Sequence, residues 1–323
     1  MIEGNTELVE CLKKIKKDQL QSIIDDYNLL AQIYEYEKIE NKKSTKDELI
    51  SLLLSNIKEY VEGIIRSLDL ADFEGLKILL KSNDVEELNN HKVLINYLLT
   101  KSILWQEDNL IIPKDIYGLL KEDIKRKDVI NDVKKNERIY RLVDGIIIAY
   151  GVIDIKTFKE IICAVDDFNL VELKLKFYYK KNYKWEDKGL VSEKLTNKKR
   201  INRYVKDKNY HEFSNKEFIH LGLSVYHHNI KAYKKFIKML RTNYVFKKKD
   251  IEFVDKNIVI PYLYNSINEE NIARKNLEET VVSLFEFKGD KLKQKMLEEI
   301  MLIRNEFPLW EYRGYTRKEE NHE

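Results

Sequence analysis

Apolar residues recur every three or four positions along most of this chain, which is the spacing of one face of an α-helix. Leu8, Leu12 and Ile15 begin the pattern, and it returns in helix-length stretches as far as residue 306. Glycine and proline, which interrupt helices and shape tight turns, number only 10 and 3 in 323 residues. The pattern therefore predicts a mostly α protein with long helices and few hairpins.

Two stretches depart from the helical spacing and predict small β-hairpins. Short apolar runs flank the turn-forming residues 107–109, and Pro113 suits the first turn of a following helix. Further along, Gly151 suits the left-handed C-cap of one helix and Asp154 the N-cap of the next. A third helix is predicted at residues 167–183 and a strand at residues 190–192. Helices followed by a small hairpin resemble the winged helix, so we expect two winged-helix-like units, residues 58–130 and 131–195.

The N-terminal residues 1–57 predict a small helical module. Its helical apolar spacing is followed by the run Lys46–Ile50, before which either Ser44 with Asp47 or Thr45 with Glu48 has the spacing of a capping box. This pattern resembles the SAP-like or Rho-N-type helical module, and the resemblance implies nucleic-acid binding or docking. A generic helical pair is the alternative.

The remainder is predicted to be a polar linker, residues 196–214, and a helical C-terminal domain, residues 215–323. That domain ends in an aromatic tail in which Pro308, Trp310 and Gly314-Tyr315-Thr316 form the pattern P-x-W-x-x-x-G-Y-T. The tail resembles the segment that precedes the metal-binding tail of SEC-C-type proteins. The Cys and His ligands of that family do not follow it here, so metal binding does not carry over. We expect the aromatic tail to pack on the chain's own helices, with a partner protein as the alternative.

Charge is distributed unevenly. Residues 171–250 contain 22 Lys/Arg and 8 Asp/Glu, whereas the whole chain has a formal net charge of only +3. Such a segment favours a polyanionic partner, because phosphates attract cations and aromatic rings stack on exposed bases. The predicted phosphate contacts are Lys174, Lys180, Lys181, Lys184, Lys198, Lys199, Arg200 and Arg203, and the predicted stacking residues are Tyr179, Tyr183 and Trp185.

A second basic cluster occupies residues 231–249, and its cations fall on one face of a predicted helix. Nucleic acid is one possible partner for this cluster. The acidic remainder of the same chain is the other, and we favour it here.

Catalytic and metal-binding signatures are weak. The adjacent His227 and His228 would point about 100° apart on a helix, which argues against a shared metal ion. The two cysteines, Cys11 and Cys163, supply neither a disulfide framework nor a cysteine-based zinc site. No glycine-rich phosphate loop is present, so no metal or other cofactor is predicted.

We therefore expect a non-enzymatic, cytoplasmic nucleic-acid-binding or regulatory protein with no membrane association. One alternative is a protein-interaction scaffold that is possibly homodimeric. A hydrolase built from dispersed carboxylates is the other.

Overall fold

The computed structural model describes residues 6–40, 44–81, 90–106, 109–164, 183–186, 189–195, 209–244, 247–265, 270–287 and 289–320. Helix accounts for 71% of these residues and strand for 6%, which confirms the prediction of a mostly α protein. The described residues divide into two compact units, of which unit 1 ends at Tyr140 and unit 2 begins at Arg141. None of the described helices is both long and apolar enough to cross a membrane.

Unit 1 consists of helices, one two-stranded hairpin and the first part of a long helix that continues into unit 2. Its elements are α1 (Leu8–Lys14), α2 (Lys17–Tyr34), α3 (Lys46–Ser55), α4 (Ile57–Arg66), α5 (Leu70–Leu79), α6 (Lys92–Thr100), β1 (Trp105–Gln106), β2 (Leu110–Ile111), α7 (Lys114–Asp123) and α8 (Lys127–Tyr150).

Local sequence signals explain where several of these elements begin. Of the two capping boxes that the sequence allows, the structure forms the second: the Thr45 hydroxyl accepts from the Glu48 amide, and the Glu48 carboxylate accepts from the Thr45 amide at 2.6 Å. Strands β1 and β2 pair antiparallel with Trp105 opposite Ile111, so the predicted hairpin is present. Pro113 precedes the first residue of α7 as its N-cap, one position before the predicted one.

A network of ion pairs joins α4 to α8 in unit 1. Arg66 contacts Glu62 at 2.7 Å and also pairs with Asp128 and Asp132, while Arg126 contacts the same Glu62 at 2.7 Å. Burial opposes ionisation of Glu62, but the two guanidinium groups outweigh it and lower the pKa of this carboxyl. The hydrogen bond from Arg126 lowers the pKa of Asp128 to about 2. Glu62 and Asp128 are therefore ionised partners of the two arginines.

Helix α8 is continuous across a predicted domain boundary. The boundary expected between residues 130 and 131 lies within its 24 residues. Asn136 on this helix is fully buried, and its side-chain amide donates to the carbonyl oxygens of Arg66 and Leu68 at 2.6 and 2.9 Å. The first half of α8 is therefore part of the core of unit 1.

Unit 2 contains the second half of α8, a three-stranded sheet and the C-terminal helices. Its further elements are β3 (Val152–Asp154), α9 (Ile155–Cys163), β4 (Tyr183–Glu186), β5 (Gly189–Ser192), α10 (Asn215–Gly222), a 3-10 turn (Tyr226–Asn229), α11 (Lys231–Asn243), α12 (Lys248–Val254), a π-helical segment (Asp255–Val259), α13 (Ile260–Asn265), α14 (Glu270–Leu284), α15 (Asp290–Asn305), a 3-10 turn (Trp310–Tyr312) and α16 (Arg317–Glu320).

The sheet of unit 2 has the order β3-β5-β4, and all its pairs are antiparallel. This arrangement confirms the strand predicted at residues 190–192, and Asp154 caps α9 as predicted by accepting from the Thr157 amide at 2.9 Å. The helix predicted for residues 167–183 lies outside the described residues except at Tyr183. The prediction that a helix ends at Tyr183 is wrong, because Tyr183 begins β4 and pairs with Ser192.

Two glycines allow α8 and α10 to approach closely. A Cβ atom on Gly145 would lie 1.8 Å from the carbonyl oxygen of Phe218, and one on Gly222 would lie 2.0 Å from the carbonyl oxygen of Arg141. Any larger residue would force the two helix backbones apart. Gly145 and Gly222 are thus placed where backbone meets backbone.

The aromatic tail packs on unit 2 itself. Trp310 is 2% exposed, and its indole N–H donates to the carbonyl oxygen of Ile148 at 2.9 Å. Its ring covers Gly151, whose φ of +68° matches the left-handed turn expected there. Phe307 is also fully buried, and the Arg313 guanidinium lies 4.4 Å from the centre of the Tyr210 ring. The prediction that this tail docks on the chain's own helices is confirmed.

Candidate nucleic-acid interface and candidate metal centre

Most of the predicted nucleic-acid contacts fall where the structure gives no description. Those outside the described residues are Lys174, Tyr179, Lys180, Lys181, Lys198, Lys199, Arg200 and Arg203. They remain predictions from the sequence.

The three described candidates lie on β4 and differ in exposure. Lys184 is exposed, and its Nζ lies 2.9 Å from Oε2 of Glu193. Tyr183 is only 5% exposed, so its ring is not open to a base. Trp185 is half-buried and packs edge-to-face against Phe158 at 5.7 Å between ring centres. Alternate residues of a strand share a face, and here Tyr183 and Trp185 face the core while Lys184 faces solvent.

The second basic cluster forms an exposed face of α11. Its exposed cations are Lys231, Lys234, Lys235, Lys238 and Arg241. At about 100° per residue these side chains lie within an arc of roughly 120°. The opposite face of the helix is apolar and buried, with Phe236 and Leu240 in the core. The amphipathic pattern of α11 therefore orients all five cations toward solvent.

The carboxylates of the described residues form no ion pairs with these cations. Within the part of the chain that the structure describes, none of the five forms an ion pair, and neither does Lys247, Lys248 or Lys249. The first turn of α11 also contains no acidic residue. No described carboxylate therefore pairs directly with these cations, and the neutralisation by acidic residues that we favoured for this cluster stays a prediction. The N-terminus of α11 adds the positive end of the helix dipole to the same surface.

Four polar side chains from three elements converge near the N-terminal end of α11. His227 and His228 lie on the 3-10 turn, Tyr233 lies in the first turns of α11, and Asp255 begins the π-helical segment. A π-helical turn shifts the register of the following side chains, and such turns occur often at functional sites. Asp255 contacts His228 from 27 residues downstream and His227 from 28.

The Asp255 carboxylate is the centre of this cluster. His228 Nε2 lies 2.9 Å from Oδ2, and His227 Nε2 lies 3.5 Å from Oδ1. The Tyr233 hydroxyl donates to the same carboxylate, at 2.8 Å from Oδ1 and 2.9 Å from Oδ2. One nitrogen from each histidine and one carboxylate oxygen lie within 4.8 Å of one another. These are donor atoms that a divalent transition metal accepts.

Burial sets the protonation states in the cluster. His227 is fully buried, and burial lowers the pKa of its imidazole, so the ring is neutral at pH 7. Among the described residues Nδ1 has no hydrogen-bond partner, and Nε2 has only the long 3.5 Å contact with Oδ1 of Asp255. Burial opposes ionisation of Asp255, but the surrounding histidine and tyrosine groups outweigh it and lower the pKa of the carboxyl. Burial, followed by the neighbouring carboxylate, raises the pKa of Tyr233, so this hydroxyl stays protonated and donates.

The expectation that His227 and His228 point too far apart to face one ion is wrong, because a nitrogen from each lies within 4.8 Å of the other and of an Asp255 oxygen. That expectation took both residues to lie on an α-helix, where neighbouring side chains point about 100° apart. In the structure they lie on a 3-10 turn, and their rings meet edge-to-face at 4.4 Å between centres. The sequence does contain one indication of this cluster. Asp255 follows Ile251 by four residues and precedes Ile258 by three, which places its carboxylate on an apolar helical face. A lone carboxylate on an apolar helical face requires a buried polar partner.

No protein-family model matches this chain, and neither a curated protein nor a solved structure matches it. The resemblances to SAP-like, winged-helix and SEC-C-type proteins therefore remain predictions. Function has to be argued from the residues of the chain itself.

Proposed function

We propose that this protein is a non-enzymatic nucleic-acid-binding protein that contacts the phosphate backbone through unit 2. The observation that carries the proposal is the exposed face of α11, where four lysines and an arginine have no carboxylate partner in the described residues. Phosphate oxygens are the anions that such a row of cations would accept.

The dimensions of this face suit a phosphate backbone. From Lys231 to Arg241 the helix rises about 15 Å. Over about 15 Å of duplex axis, one strand presents roughly four phosphates, because they are spaced about 3.4 Å apart along the axis. The number of cations on the face is thus comparable to the number of phosphates within its reach.

The cost of placing like charges together also supports binding. Lys231 with Lys235, and Lys234 with Lys238, are separated by one helical turn, and each such pair destabilises a helix by about 0.2–0.5 kcal/mol. Cations near a helix N-terminus add a further unfavourable interaction with the helix dipole. A cationic face that weakens the fold is expected where a ligand supplies the counter-charge.

The order of elements at the start of unit 2 supports the same proposal. Helix α8, strand β3 and helix α9 precede the β4–β5 hairpin, and β3 lies beside β5 in the sheet. This order resembles a winged helix, in which a helix and the hairpin both approach a duplex. The predicted contacts at residues 174–203 would belong to that part of the chain.

The proposal is tested by titrating the protein with duplex and single-stranded DNA and RNA across a range of salt concentrations. Two variants separate the two basic segments. Replacing Lys234 and Lys238 by Gln is expected to reduce the slope of log K against log salt by about two units for duplex DNA. Replacing Lys198, Lys199 and Arg200 by Ala is expected to reduce it by about two to three units.

A matched control removes two charges elsewhere. Lys125 and Lys127 are exposed residues of unit 1, so a variant with Gln at both has the same net charge as the Lys234/Lys238 variant. It should retain the slope of the original protein. Absence of binding at low salt, or equal slopes for this control and the Lys234/Lys238 variant, would contradict the proposal.

A protein-interaction role is the second candidate, and exposed apolar side chains of unit 2 favour it. Four side chains are each about half exposed: Leu223 directly after α10, Phe253 on α12, Val282 on α14 and Leu302 on α15. Sedimentation then decides: a mass well above 38.7 kDa without nucleic-acid binding would favour this role over the first.

A further inference from the structure

We propose that His227, His228 and Asp255 bind one divalent transition-metal ion, with Zn²⁺ as the best fit. The three side chains supply two imidazole nitrogens and one carboxylate oxygen, which is a ligand set that Zn²⁺ accepts when a fourth position is left for water. This inference does not depend on nucleic-acid binding.

The distances agree with tetrahedral coordination. Bonds of 2.0–2.2 Å to a tetrahedral ion place neighbouring ligand atoms about 3.4 Å apart. The two imidazole–carboxylate separations lie on either side of this value and end on different oxygens: 2.9 Å from His228 to Oδ2, and 3.5 Å from His227 to Oδ1. All three donor atoms fall within 4.8 Å of one another. Small changes in side-chain torsion angles therefore suffice to admit an ion.

The unsatisfied imidazole of His227 is the strongest sign of a missing ligand. The side chain has no exposed surface; within the described part of the chain Nδ1 has no hydrogen-bond partner, and Nε2 has only a long 3.5 Å contact with Asp255 Oδ1. Buried polar atoms are almost always paired, and each exception calls for an explanation. A metal ion bound at Nε2 would satisfy the atom that lies closest to the carboxylate.

The surroundings provide both support and access. The Tyr233 hydroxyl holds the carboxylate through two contacts of 2.8 and 2.9 Å, as the outer-shell partners of metal ligands do. Asp255 is the first residue of the π-helical segment, a type of turn that occurs often at functional sites. His228 is 46% exposed on its side chain, so an ion can enter from solvent and retain a water ligand there.

The test is metal binding by the full-length protein after treatment with a chelator. Titration with Zn²⁺ should show one tight site per chain, and Co²⁺ should give the visible absorption of a tetrahedral complex. At a free Zn²⁺ concentration about 100 times Kd, the Tm of unit 2 should rise by roughly 5–10 °C.

Variants assign the ligands. His228→Gln alters an exposed side chain and should weaken Zn²⁺ binding by about 100-fold or more, whereas Tyr233→Phe removes the outer-shell hydroxyl and should weaken it by about 10–100-fold. His220→Gln is the matched control, because this histidine lies in the same unit outside the cluster, and it should leave the affinity unchanged.

Two results would overturn the assignment. One is the absence of stoichiometric Zn²⁺ or Co²⁺ binding by the folded protein. The other is equal affinity for the original protein and His228→Gln, which would place any bound ion elsewhere. In either case the four side chains form only an internal hydrogen-bonded cluster.

Discussion

Replacing Trp310 by Ala should destabilise unit 2 by about 3–5 kcal/mol, the usual loss when a fully buried tryptophan is truncated. The indole ring is buried on α8 and the turn at Gly151, and its N–H donates to the carbonyl oxygen of Ile148 at 2.9 Å. In a unit of this size each kcal/mol lowers Tm by about 2–4 °C, so the expected fall is roughly 6–20 °C. The Trp310→Phe variant keeps a ring and loses the hydrogen bond, so its loss should be smaller, about 1–2 kcal/mol.

Urea unfolding followed by circular dichroism measures these changes, with thermal unfolding as an independent check. The control is Leu302→Ala on the preceding helix, where an apolar side chain is 47% exposed and the expected change is within about 0.5 kcal/mol. An unchanged midpoint for Trp310→Ala would refute the packing of the aromatic tail on its own chain. The tail would then be free to dock on a partner.

Three further predictions concern charge and packing. Glu62→Gln should destabilise unit 1 by about 1–3 kcal/mol at pH 7. Because the folded-state pKa of Glu62 lies below its ordinary 4.5, its contribution to stability is present above that pH and is lost on acidification. Urea unfolding at several pH values should therefore show that the variant loses less stability in acid than the original protein does. Gly145→Ala should destabilise unit 2 by about 1–3 kcal/mol in thermal unfolding, because the added Cβ atom would lie 1.8 Å from the carbonyl oxygen of Phe218. Alanine at an open helix position would instead stabilise the unit by up to about 1 kcal/mol, and that result would contradict the contact. Lys234→Gln combined with Lys238→Gln should leave the unfolding midpoint unchanged or slightly higher, and a clear loss of stability would show that these lysines serve the fold instead of a ligand.

Sequence was sufficient for features that depend on neighbouring residues. Helical apolar spacing predicted most of the C-terminal helices. The cap at Asp154 and the left-handed Gly151 were also predicted, and Thr45 was one of two caps that the sequence allowed for α3. The short hairpin before Pro113 followed from turn chemistry. In each case the deciding interaction spans only a few residues.

Features that depend on residues distant in sequence were missed. The meeting of His227 and His228 with Asp255 needs a 3-10 turn and a π-helical turn, neither of which has a clear local signature. The burial of Tyr183 follows from its place in a sheet whose neighbouring strand begins at Gly189. Strand pairing, unlike a helical face, cannot be derived from the spacing of one segment alone.

The most direct test of the proposed function is the salt dependence of duplex DNA binding by a variant with Gln at Lys231, Lys234, Lys235 and Lys238. Each cation that neutralises a phosphate contributes about 0.9 to the slope of log K against log salt. If all four contact phosphate, the slope should therefore fall by about three to four units relative to the original protein, while the circular dichroism spectrum remains the same. A slope equal to that of the original protein would contradict the proposal that this face of α11 binds nucleic acid.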